Sequence, residues 1–136
     1  MLHEANDDFS FSGLKTSVRY CLRDHPEILS HGQGLRDLCA SVQAAIVEVL
    51  VTKTMRAAER LGVGCVTASG GVTCNSALRE GLSQACRKRN LSLRLAERGL
   101  CTDNAAMIGI LAERKLMRNA AETSVDADIL PGWALA

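Results

Sequence analysis

The chain has 136 residues, 47% hydrophobic and 23% charged, which supplies enough apolar side chain for one globular domain with a modest core and excludes a disordered chain. Its 16 basic and 15 acidic residues leave a formal net charge of +1, so the chain-wide basic field of a dedicated nucleic-acid binder is absent and any polynucleotide contact must be local. No contiguous apolar run approaches the roughly 20 residues of a membrane helix, and MLHEANDD at the start lacks the basic flank and apolar centre of a signal peptide; the expectation is a cytoplasmic protein with no membrane partner.

In chain order, DFSFS at residues 8–12 alternates Phe9 and Phe11 with serines, predicting a brief strand or extended segment that ends at Gly13. A helix follows from Leu14 to about Arg23 and is stopped at His25 and Pro26, because the residue before proline disfavours helical geometry. HGQG, residues 31–34, reads as a loop. The longest periodic segment runs from Leu35 to Leu61, with Leu38, Val42, Ile46, Val49 and Leu50 recurring at helical intervals. Asp37 near its start and Arg56 and Arg60 near its end suit the helix dipole.

GCVTAS, residues 64–69, predicts a buried strand of small and β-branched residues, and LSLRL at 91–95 predicts another. Between them lies a helix with Ala77, Leu78, Leu82, Ala85 and Cys86 on one side, closing in Arg87, Lys88, Arg89 and Asn90. A last helix is predicted from about Asn104 to Met117, burying Met107, Ile108, Leu111 and Leu116. Residues 119–136 read as an irregular tail that packs Trp133 back on the body. Strand, helix, strand, helix in this order predicts an α/β fold, one domain over residues 1–136, with a short, largely parallel sheet flanked by helices.

The six cysteines, Cys21, Cys39, Cys65, Cys74, Cys86 and Cys101, show no C-x-x-C pair, so reduced and mostly buried thiols are expected. His3, His25 and His31 stand in polar or turn-like contexts and read as surface histidines.

Two stretches carry candidate chemistry. In TASGGVTCNSALRE, residues 67–80, a strand ending in Gly70 and Gly71 turns into a helix. Such a junction bares backbone N–H groups at the positive end of a helix dipole and forms either an anion or nucleotide site or an ordinary capped glycine turn. Thr73, Asn75 or Ser76 can cap the helix, or Asn75 can turn its amide, both donor and acceptor, to a ribose hydroxyl or purine edge. In CTDN, residues 101–104, Thr102 or Asp103 can cap the following helix, or Asp103 can offer a carboxylate to a divalent metal. Arg87, Lys88, Arg89, Arg94 and Arg98 form a basic cluster open to RNA phosphates or to simple dipole and solvent roles, and Lys15 faces the same choice. Cys74 and Cys101 flank the two stretches without a histidine base beside either, which reads as small thiols rather than nucleophiles.

DFSFSGLKT at 8–16, ASGGVTCNSALR at 68–79 and LCTDNAAMI at 100–108 resemble, in this order and spacing, the signatures of the tRNA N6-threonylcarbamoyladenosine transferases, once labelled O-sialoglycoprotein endopeptidases, in their bacterial or mitochondrial form. The resemblance runs from Asp8 to about Trp133. It implies the C-terminal lobe of an actin-like ATPase (ASKHA) fold, of the kind shared with sugar kinases and heat-shock chaperones. Family members carry a further N-terminal lobe with paired histidines for one divalent metal, iron or zinc, and a Gly-rich segment that grips the carbamoyl-adenylate. By resemblance Asp103 is the metal ligand that carries over, Asn75 contacts the adenylate, and Gly70 and Gly71 form the turn beside it; no catalytic residue carries over, and the histidines match nothing. Where the family often has Arg-Pro before CTDN, this chain has AERGL at 96–100. Met1 falls at an internal family position, so a split gene, an internal start or a shortened form is expected.

The activity implied for the complete enzyme is transfer of a threonylcarbamoyl group from threonylcarbamoyl-AMP to the adenosine beside the anticodon of tRNAs reading ANN codons. The implied partners are tRNA, the N-terminal lobe, a paralogous actin-like subunit and a small ATPase of a bacterial complex, or a second copy of the chain. A non-catalytic interaction module and a small-metabolite kinase-like lobe are the rival readings; a peptidase is disfavoured by the lack of H-E-x-x-H.

Overall fold

The computed structural model describes residue 2 and residues 6–120. The chain divides into two compact units, Met1–Thr102 and Asp103–Ala136. His3, Trp133 and the expected irregular tail from residue 121 onward lie outside the described residues.

The first unit opens with α1 (Ser12–Asp24). Residues 8–11 form no strand, in contrast to the alternation of Phe9 and Phe11, because a strand needs a partner and the only sheet among the described residues pairs other segments. α1 ends as expected at His25, whose N–H donates to the Cys21 carbonyl at 2.9 Å, just ahead of Pro26. One further turn, α2 (Glu27–Ser30), leads into α3 (Gly32–Leu61). The HGQG segment is therefore mostly the first turn of α3 rather than a loop. Its glycine at 34 serves close packing, since a Cβ there would meet the Ile28 carbonyl oxygen at 3.2 Å.

α3 has 30 residues, a length of about 45 Å at 1.5 Å per residue. By length and composition alone it is apolar enough to cross a membrane. Contiguous runs did not reveal this, because Arg36, Asp37, Gln43 and Glu48 interrupt the apolar stripe. Its second half carries Met55 and Ala58 into the core. Lys53, fully buried on the same half, donates to Asn6 Oδ1 at 3.1 Å and to the Asp8 carbonyl at 2.5 Å. Arg56 donates to the carbonyls of Leu2 and Asn6, and Arg60 pairs with Asp7. One basic stripe thus holds the N-terminal segment, a role beyond the dipole.

After Gly62, in the left-handed conformation, come β1 (Cys65–Ala68), a 3-10 turn at Gly71–Cys74, α4 (Ser76–Lys88) and β2 (Ser92–Leu95). The strands pair in parallel, Cys65 opposite Ser92 through Ala68 opposite Leu95, and α4 is the crossover such a pairing requires. Leu78, Leu82, Ala85 and Cys86 of α4 join Met55, Ala58 and Val66 in the core, with Leu93 and Leu95 packed against it; Ala77 is exposed. β1 alternates, with Val66 buried and Cys65 and Thr67 exposed, so it is not the fully buried strand predicted. A two-stranded sheet with its core on one side leaves the other pleat to solvent.

The six cysteines are all free thiols, as expected, but only Cys86 and Cys101 are buried. The second unit holds α5 (Ala105–Met117). Its predicted buried side is exposed: Met107, Ile108, Leu111 and Leu116 keep about half or more of their surface. The 3.6-residue periodicity marks a face meant for packing.

Candidate functional site

Gly70 follows β1 with φ +91° and ψ 166°, a conformation open to glycine and strained for other residues. A Cβ at Gly70 or Gly71 would meet no atom within 4 Å, so the backbone there is bared to open space. The two glycines do not feed α4 directly, as the sequence suggested; the Gly71–Cys74 turn intervenes. The turn is held by Thr73, whose N–H and Oγ1 both donate to the Gly70 carbonyl, at 3.0 and 2.7 Å.

Asn75 is the N-cap of α4. Its Oδ1 accepts from the Leu78 N–H at 3.0 Å, and its Nδ2 donates to Gln43 Oε1 on α3 at 2.8 Å. Capping assigns the oxygen, and a carboxamide with two donors and two lone pairs then retains one of each for a ligand. Capping and ligand-facing, posed as alternatives by the sequence, are compatible. Asn75 and Gln43 stand on the wall of an open groove of about 480 Å³, lined otherwise by Val18 and Leu22 of α1, Leu35, Leu38, Val42 and Ile46 of α3, and Val72. The volume and the few polar groups on apolar walls match a small-molecule cleft. Gln43 escaped the sequence reading; the only signal was a carboxamide flanked by Val42, Ala44 and Ile46 in the apolar stripe.

Arg79 ties the turn to the chain after β2, donating through Nε to the Thr73 carbonyl at 2.6 Å and through Nη2 to the Ala96 carbonyl at 2.5 Å. It also approaches Cys101 Sγ at 3.5 Å, and Thr73 Oγ1 lies 3.1 Å from the same sulfur. Cys101 is only 4% exposed. Its thiol is held below the usual thiol range by the Thr73 hydroxyl first, against the opposing effect of burial, with help from the Cys74 thiol and Arg79. Burial pushes the Cys86 thiol up, and neighbouring Cys65 adds to this.

Asp103 and Asn104, in the second unit, line a shallow cleft of about 330 Å³ with Met107 and Ile108. Asn104, not Thr102 or Asp103, caps α5, accepting from the Met107 N–H at 3.2 Å. This leaves the exposed Asp103 carboxylate outside the cap. Among the described residues no three His, Cys, Asp or Glu side chains converge as a metal set, so the donors present do not by themselves fit a metal. His25 and His31 are exposed and bond locally to Glu27. In the basic cluster, Arg89 pairs with Glu59 and Arg98 donates to Ser76 Oγ at 3.0 Å.

Comparison with known proteins gives this geometry a family. The family model described as tRNA N6-adenosine threonylcarbamoyltransferase matches residues 2–110. Proteins of that name from Geobacter metallireducens and Verminephrobacter eiseniae are 44% and 41% identical to this chain, over 99% and 100% of its length. One from Chlorobium luteolum is 49% identical over 83% of it. The chain spans about two fifths of the first two relatives, 39% of each, and 32% of the third. With the glycine turn, Asn75 and Asp103 all inside the matched segment, the chain belongs to the tRNA N6-adenosine threonylcarbamoyltransferase family.

Proposed function

We propose that this chain is the nucleotide-holding, C-terminal lobe of a threonylcarbamoyltransferase with an actin-like fold, and that it contributes to transfer without performing it alone. The observation that carries the reading is the apolar groove edged by the Asn75 and Gln43 amides. A purine is flat and apolar on its faces with donors and acceptors on its edge, which matches apolar walls and a carboxamide having one N–H and one lone pair to spare. The bared Gly70–Gly71 backbone admits the phosphate of the adenylate.

In the reaction the exocyclic amine of the tRNA adenosine attacks the carbamoyl carbonyl of threonylcarbamoyl-AMP. The new C–N bond forms, the C–O bond to phosphate breaks, AMP leaves with the bonding pair, and the amine proton passes to solvent. This chain's part is binding and orientation of the leaving nucleotide, an entropic contribution rather than an acid–base one. Asp103 would offer one carboxylate to the iron or zinc of a complete enzyme, which would serve there to polarise or position the carbamoyl group. The basic residues at the end of α4 supply a local surface for tRNA phosphates.

A second reading, a non-catalytic interaction module, is favoured by one observation: α5 carries its apolar residues exposed. The two separate on activity. The purified chain, given threonylcarbamoyl-AMP and tRNA, is expected to yield no modified adenosine by nucleoside mass spectrometry. Modification should appear when the remaining length of a relative is supplied as a second chain, whereas modification by this chain alone overturns the lobe reading.

A further inference from the structure

We propose that Cys74 and Cys101 form a reversible oxidation site, a dithiol that peroxide converts to a disulfide stapling the glycine turn to the segment after β2. The inference stands whether or not the groove takes a nucleotide.

The fold brings the two cysteines to one carbonyl oxygen. Cys74 Sγ donates to the Arg98 carbonyl at 3.8 Å, and the Cys101 N–H donates to that same oxygen at 3.3 Å. Thr73, the residue before Cys74, places Oγ1 3.1 Å from Cys101 Sγ. Arg79 holds both sides of the pair, through the Thr73 carbonyl on one and Cys101 Sγ on the other. Sequence reasoning set both cysteines aside for want of a histidine. The structure supplies a hydroxyl and a guanidinium in its place, Thr73 Oγ1 at 3.1 Å and Arg79 Nη2 at 3.5 Å from Cys101 Sγ.

The two differ in access, and that orders the chemistry. Cys74 is half-buried and Cys101 buried, so hydrogen peroxide reaches Cys74 first. The Cys74 thiol takes one oxygen, forming a sulfenic acid and releasing water. The Cys101 sulfur then attacks the Cys74 sulfur; the S–S bond forms, the S–O bond breaks, and the departing hydroxide takes up the Cys101 proton. Two thiols give up two electrons and one peroxide becomes two waters. A dithiol reductant reverses the step by exchange.

Cys65 and Cys86 also neighbour each other, but Cys65 Sγ is turned to the Val66 carbonyl at 3.8 Å and Cys86 is buried. Cys39 is exposed and gains only accessibility.

The test uses the full chain, treated with about one equivalent of hydrogen peroxide, alkylated, and mapped by peptide mass spectrometry. The expected major product is a Cys74–Cys101 linked peptide with the mass loss of two hydrogens and two fewer alkylatable thiols, restored by dithiothreitol. In Cys101→Ser the link is lost and a sulfenic acid at Cys74 is trapped by dimedone. Oxidation of Cys39 or Cys65 ahead of the link, a Cys65–Cys86 link as the major product, or a Cys74–Cys101 link formed only in denaturant would each overturn the proposal.

Discussion

Asn75 carries two obligations with one side chain. Its oxygen terminates α4 and its nitrogen ties α4 to α3 through Gln43, so a simple deletion confounds folding with binding. Asn75→Ala should cost about 1 kcal/mol, the usual loss for a helix cap, read from a urea melt. Asn75→Asp keeps an oxygen at the cap, suits the helix dipole, and can accept from Gln43 after an amide flip; its melt should match the parent. Cys101 is the other residue whose environment makes a measurable claim. Its folded-state pKa is depressed, so its stabilising contribution is fully present above the unfolded thiol pKa and is lost as pH falls through the folded value. Under reducing conditions, the stability gap between the parent and Cys101→Ser should therefore widen as pH rises from the folded pKa toward the ordinary thiol range. A gap that narrows over that interval would contradict the depressed pKa.

At the scale of elements, the helix that crosses from β1 to β2 is held tightly against α3. A Cβ on Gly81 would meet Val51 Cγ2 at 3.1 Å and Val47 Cγ1 at 3.3 Å, closer than ordinary van der Waals contact. Gly81→Leu should destabilise by about 1–3 kcal/mol, the usual cost of overpacking, despite the gain in helix propensity; an unchanged midpoint in denaturant would show that α3 and α4 are looser than described. The long helices and the β1–α4–β2 unit were legible in the sequence, because apolar periodicity and the polar breaks around it are local signals. Of the two readings of DFSFS, a strand or an extended segment, the strand is not formed, since alternation specifies a pleat without supplying a partner. HGQG misled for the opposite reason: Gly34 is required by close approach to Ile28, a tertiary fact, and not by a loop. Lys53 was invisible as a core residue, because its burial depends on the Asp8 carbonyl and Asn6 amide arriving from 45 and 47 positions away.

On the scale of the whole molecule, each of the two units presents apolar surface of its own. The α1–α3 groove is open and the apolar residues of α5 are exposed, and the relatives it matches are more than twice its length. The candidate site was legible only in part for the same reason. Gly70, Gly71 and Asn75 could be picked out because one short stretch contains them all, whereas Gln43 and the groove arise where α1, α3 and the turn meet. Asp103 could be picked out too, yet the described residues assemble no metal set around it. The proposed function requires the groove edge at Asn75 to hold an adenine nucleotide. Calorimetric titration of the purified chain with AMP, repeated on Asn75→Asp, tests it most directly. The expected result is saturable binding to the parent and at least about tenfold weaker binding to the variant, the loss of roughly one 1.4 kcal/mol interaction, with both proteins melting alike. No heat of binding to the parent, or equal affinity for both proteins, would contradict it.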